Sequence, residues 1–185
     1  PNGKMVFVNG NLYPLVDHSD AEADETNLYL WLPKTDFATL GTVGEEIYID
    51  ISYGSLVIYE NTFKLGDHVF SYVNGTEFIL SGSTDKYNVT VAKDVDANIA
   101  LNGVTIDRSS QINDPNADYA FALEDNSTGT VKIVIVDGTT NNLTSGSGFA
   151  GIQKNGLGGN LMIWGDTKGT GVLNAKSSFN GAGIG

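Results

Sequence analysis

A chain of 185 residues with 41% hydrophobic content can bury one large core or two small ones, which excludes wholesale disorder. A formal net charge of −12, with Arg108 as the lone arginine, excludes nucleic acid as a natural partner, because such a field repels phosphate backbones. The absence of cysteine excludes disulfides, thiolate metal sites and a cysteine nucleophile, and no apolar run approaches the ~20 residues of a membrane-spanning helix.

The chain starts at Pro1 with neither an initiator Met nor a leader, and so reads as a mature or trimmed form. Met5-Val-Phe-Val8, Asn9-Gly10 and Asn11-Leu-Tyr13 spell a hairpin, since Asn-Gly supplies the positive φ angles of a type I′ turn. Residues 17–27 hold five carboxylates and almost nothing apolar, and are expected to form a solvated loop. Leu28-Tyr-Leu-Trp-Leu32 alternates, with the leucines on one side and Tyr29 and Trp31 on the other, until Pro33 ends it. Ile47–Ile51 alternates too, and Leu56–Tyr59, His68–Val73 and Glu77–Leu80 are further short strands. No stretch holds a helical period over three turns. Residues 1–75 therefore predict an antiparallel β meander or sandwich-like module.

After residue 75 the pattern changes. Phe78–Gly82, Val89–Val91 and Ile99–Ile106 predict the first irregular coils of a solenoid, and the polar residues 107–118 an insertion on one of its faces. From Ala117 onward the chain repeats every thirty residues. Val131, Ile133 and Leu143 fall over Leu161, Ile163 and Leu173, and Tyr119, Phe149 and Phe179 share a column. Within each row the residues alternate, as strands with one buried face do. Of the 23 glycines, 15 lie after Val91, where they serve the tight turns. Short strands coiling at a fixed period predict a parallel β-helix over residues 76–185. Its last coil stops at Gly181-Ala-Gly-Ile-Gly185 without a polar cap, which predicts that the native protein continues or that another chain covers this end.

The series Ile79-Leu-Ser-Gly82, Leu101-Asn-Gly-Val-Thr-Ile106, Asp137-Gly-Thr-Thr-Asn-Asn-Leu-Thr144, Gly169-Thr-Gly-Val-Leu173 and Asn180–Gly185 resembles the carbohydrate-binding parallel β-helix family of bacterial cell surfaces, whose members look like polysaccharide lyases. The resemblance covers residues 75–185. It implies a right-handed β-helix, secretion, an acidic polysaccharide ligand and bound Ca²⁺. Gly10–Leu15, with the long polar loop and paired strands after it, is similar to small β modules on bacteroidete surface lipoproteins.

Three chemistries are open to these residues. Asp94-Val-Asp96-Ala-Asn98 sets oxygen ligands at alternate positions, and with Asp107, Asp114 and Asp118 of the insertion it could hold Ca²⁺. It is not an EF-hand, because Ile99 and Thr105 stand where Gly and Glu are needed; a solvated strand edge explains the same residues. A lyase needs a base beside the acidified proton of a uronate, and Arg108 is the arginine that could serve; a salt bridge explains it equally. Neither His18 nor His68 has the partners of a triad. Trp164, Tyr29 and Trp31 could stack on sugar rings, or instead fill the interface between the two modules. The sequons at Asn74, Asn88, Asn126 and Asn142 carry meaning only in a eukaryotic secretory setting.

The expectation is thus an all-β protein: an N-terminal antiparallel module followed by a right-handed parallel β-helix. The expected role is a non-catalytic extracellular or cell-surface protein that binds an acidic polysaccharide or cell-surface glycan, or mediates adhesion. The candidate ligand-binding residues are Trp164, Tyr29, Trp31 and Arg108; the candidate calcium ligands are Asp94, Asp96, Asp114 and Asp118. Two alternatives stay open: a structural stalk or filament subunit that self-associates through its uncapped C-terminal coil, and a polysaccharide-lyase-like enzyme.

Overall fold

The computed structural model describes residues 5–8, 11–14, 46–110, 119–156 and 158–185, the first two segments by their backbone alone. Among them the regular structure is β throughout, apart from one 3₁₀ turn, Ile51–Tyr53. The strands are β1 (Met5–Val8), β2 (Asn11–Pro14), β3 (Glu46–Asp50), β4 (Leu56–Ile58), β5 (Thr62–Leu65), β6 (His68–Ser71), β7 (Glu77–Thr84) and β8 (Val89–Val91). They continue with β9 (Ala97–Asp107), β10 (Phe121–Leu123), β11 (Thr130–Ile135), β12 (Thr140–Ser145), β13 (Ile152–Lys154), β14 (Asn160–Gly165) and β15 (Val172–Ser177). β1 and β2 form the antiparallel hairpin that Asn9-Gly10 predicts.

The other strands, β5 and β6 apart, form a parallel β-helix of about four turns, built from three ladders. The first runs β3, β7, β9, β11, β14, all parallel. Its register explains the fold. Ile47, Phe78, Ile99, Ile133 and Ile163 stack in one inward column, and Ile49, Leu80, Leu101 and Ile135 in the next. Each is too apolar to face water and finds its own kind one turn above and below, so alternation at period two becomes a continuous core. The second ladder pairs the ends of β7 and β9 with β12 and β15. The third stacks the short strands β4, β8, β10 and β13, with Leu56, Val89, Phe121 and Ile152 inward, and Ile184 bridges onto it.

The corner between the first two ladders is held by Asn141, which is fully buried. Its Oδ1 accepts from the amides of Gly103 and Val104, both at 2.9 Å, and its Nδ2 donates to Thr139 Oγ1 at 3.0 Å. The β7/β9 register slips here between Leu80 and Gly82. Gly103 turns the bulge with φ of +80°, a region only glycine enters freely.

Parallel pairing reaches further back than residue 76. β3 and β4, expected within the antiparallel module, join the first and third ladders through β7 and β8. Among the described residues the antiparallel part beyond the β1–β2 hairpin is continuous with the solenoid: β5 and β6 extend the third ladder outward from β4. Phe63, Phe70, Tyr72 and Phe78 pack ring against ring beneath that extension, with centroids 5.0–6.4 Å apart. Tyr72 donates its hydroxyl proton to the Tyr59 carbonyl, and burial pushes its pKa up to about 12. No helix among the described residues is long and apolar enough to cross a membrane.

Candidate functional site

The third ladder is made of three-residue strands, so only the middle residue of each points outward. Those residues are Val57, Thr90, Ala122 and Gln153, stacked in register. Thr90 and Ala122 are nevertheless only 7% and 5% exposed. With Gln153 they form the floor of a cleft of about 470 Å³.

One wall is aromatic. Tyr119 and Phe149 precede β10 and β13 at the same corner of successive turns, with ring centroids 6.5 Å apart. The Tyr119 hydroxyl meets Thr90 Oγ1 at 3.1 Å, which holds the ring over the floor. The opposite wall is polar: Glu124, Asp125 and Asn155, from the turns that leave β10 and β13. Asn155 Nδ2 donates to Asp125 Oδ1 at 2.8 Å, and Glu124 Oε2 accepts from the Lys93 amide at 2.9 Å. Gln153 is anchored by the Ala150 amide, which donates to its Oε1 at 2.7 Å. Each carboxylate has acceptor capacity left after its one such bond. The two turns behind this wall nest closely, since a Cβ on Gly156 would lie 2.7 Å from Asn126 Oδ1. A flat apolar face opposite fixed acceptors and amides suits a polyhydroxylated ring, which offers C–H groups to one side and hydroxyls at its rim.

The residues singled out from sequence lie elsewhere. Trp164 ends the outward column Tyr48, Ile79, Ala100, Val134, Trp164 on the first ladder, 42% exposed beside Met162. Arg108 is 2% exposed; its Nη1 donates to the carbonyls of Asp85 and Lys86, so it ties down a turn where the sequence suggested a ligand contact or a base. Tyr29, Trp31, Asp114 and Asp118 lie outside the described residues.

Asp94 and Asp96 act as staples between turns. Asp94 Oδ1 accepts from both the amide and the hydroxyl of Thr128 at 2.8 Å, and Asp96 Oδ1 accepts from the Thr130 amide at 2.6 Å. The Thr128 bonds hold the Asp94 carboxyl below its ordinary pKa. Asp137 repeats the device one turn later, on the amides of Lys168 and Thr170, and is lowered in the same way. Among the described residues no three His, Cys, Asp or Glu side chains converge as metal ligands would.

Sequence reasoning placed Tyr119 and Phe149 in a repeat column without assigning them to a site. The available signal was their position: they stand just outside the short strands, where a core residue is not needed. No protein-family model matches this chain, and neither a curated protein nor a solved structure does.

Proposed function

We propose that this chain is a non-catalytic glycan-binding module and that the third-ladder cleft is its binding site. The observation that carries the reading is the opposition of Tyr119 and Phe149 to Glu124, Asp125 and Asn155 across the floor of one cleft. The secreted or cell-surface setting, and a bacterial source, rest on the resemblance of residues 75–185 to the surface β-helix family.

The cleft chemistry selects among glycans. An acidic polysaccharide would bring its carboxylates against Glu124 and Asp125 on a chain of net charge −12. It would need a cation such as Ca²⁺ between the two, whereas a neutral or amino sugar needs none. The neutral or amino class is therefore the better fit, and the calcium-bridged acidic glycan is its competitor.

The test is a glycan array followed by calorimetry, with and without millimolar Ca²⁺. Neutral or amino glycans should bind without calcium, and Tyr119→Ala and Phe149→Ala should each weaken binding roughly tenfold or more. Binding that requires calcium would move the ligand to the acidic class. Unchanged affinity in both variants would remove the cleft from the function.

A second reading, assembly, is favoured by β14, β15 and the residues around them, where Met162, Trp164, Val172, Phe179 and Ile184 are all exposed. Light scattering over a concentration series tests it: a constant monomer mass would end that reading.

A further inference from the structure

The Tyr119–Phe149 wall is part of a longer feature. The entry to the third ladder carries an aromatic residue at every pass of the chain: Tyr53 before β4, Tyr87 before β8, Tyr119 before β10, Phe149 before β13 and Phe179 before Ile184. The strands they precede are stacked in register, so the five rings enter at one corner of successive turns. None is in the inward column, which belongs to Leu56, Val89, Phe121, Ile152 and Ile184. Tyr53 is 51% and Phe179 66% exposed. The core does not need them, and a solenoid can vary its corners freely.

A second cleft, of about 450 Å³, opens at the far end of this row. Tyr53 and Tyr87 line it, together with Ser55 and with Asp67 and His68 at the tip of the β5–β6 hairpin. Here the polar groups come from the tip of the hairpin that extends the third ladder; because Leu65 pairs with Leu56, that tip lies at the entry end of β4 beside Tyr53, whereas the Glu124–Asp125 turn lies at the exit end of β10. The hairpin tip is seated by the Gly66 amide, which donates to the Ser55 carbonyl at 3.0 Å. Both clefts thus lie against the aromatic row, the first with polar groups across the strands from it and the second with hydroxyl, imidazole and carboxylate groups at the end of the row. Tyr53 and Phe149 are three strand spacings apart, roughly 14 Å along the axis.

We infer that the two clefts are subsites for one polysaccharide chain lying along the solenoid axis against the aromatic row, so that the ligand is an extended polymer rather than a mono- or disaccharide. This rests on the glycan reading of the Tyr119–Phe149 cleft. A chain long enough to reach the second cleft makes that contact intramolecularly and gains affinity; a shorter one does not.

The experiment is calorimetry of the whole chain with size-graded gluco-, manno-, xylo- and chito-oligosaccharides, from the disaccharide upward. In the series that binds, affinity should climb with length by at least ~tenfold and then level off once both clefts are spanned. Tyr53→Ala with Tyr87→Ala should abolish the climb and leave the affinity of the shortest binder unchanged. Tyr119→Ala should weaken every length. His68→Ala, at an exposed hairpin tip, should blunt the climb without changing a ring of the aromatic row and guards against a folding defect in the tyrosine variant. Affinity that is flat with length, or a climb that survives both second-cleft changes, overturns the two-subsite inference while leaving the first cleft standing. Binding of no series at any length overturns the two-subsite inference together with the neutral or amino class assigned to the first cleft.

Discussion

β11 and β14 carry the same alternation in the same ladder, one turn apart, and end in opposite environments. Val131 and Ile133 of β11 are fully buried, while Leu161 and Ile163, their partners in register, are only partly so. β11 has a strand on each side, β9 and β14; β14 has β11 alone among the described residues. Alternation determines which way a side chain points, and neighbours determine how much water it loses. The opposite end of the solenoid shows the complement. There β5, β6 and the Phe63–Tyr72–Phe78 cluster cover the core, and Phe63 and Phe78 are fully buried. Charge follows the same divide: residues 1–118 hold 18 acidic and six basic side chains, residues 119–185 four of each.

The sharpest way to break this comparison is to cut the same column at two heights. Ile133→Ala should cost about 2–5 kcal/mol, because the cavity it leaves is walled on all sides. Ile163→Ala should cost about 1–2 kcal/mol, since its site already meets solvent and can relax. Denaturant midpoints of the two variants decide it, and equal losses would mean that β14 is as well covered as β11.

Next in size is Asn141→Ala. It strands the buried Val104 amide, and the more exposed Gly103 amide beside it, both of which the side chain now satisfies. About 2–3 kcal/mol should be lost, and hydrogen exchange should accelerate first at those two amides. Unchanged protection there would show that the corner is held by the backbone alone.

The pH dependence should divide by residue. Asp94 and Asp137 are held below the ordinary carboxylate range by bonds from Thr128 and Thr170. Their contribution is complete above the unfolded value of about 3.9 and is lost as pH falls through the lower folded value. Stability should therefore drop on acidification below about pH 4, and less so in Asp94→Asn.

Glu77 runs the other way. Burial, then the charges of Glu46 and Asp166, raise its pKa. Its contribution is complete below the unfolded value of about 4.3 and is lost as pH rises through the folded value. Partial exposure screens the effect, so Glu77→Gln should raise Tm by only about a degree at pH 7 and not at all at pH 4. A rise of the same size at both pH values would assign it to packing.

Much of this architecture is legible in one dimension, for a local reason. Alternation at Ile47–Ile51, Val131–Ile135 and Leu161–Trp164 marks strands whatever the fold, and a thirty-residue period can place like over like only if the chain coils. The Asp94–Asp96 pair was legible as chemistry but not as a role, because a carboxylate that binds calcium and one that caps the next turn look alike along a sequence. Arg108 was ambiguous in the same way: sequence gives its charge, and only the fold gives its burial.

What the sequence by itself determined is therefore the strand faces, the period and the stacking of the core, since each depends on residues within one turn of the chain. What only the tertiary structure decided is which distant segments share a surface. Thr90, Ala122 and Gln153 meet because three strands stack in register across more than sixty positions of the chain. Tyr53 and Tyr87 meet His68 because an antiparallel hairpin folds back along the third ladder. Registers and hairpin placement are set by long-range pairing, whose energy is spread over many residues and leaves no motif at any one of them.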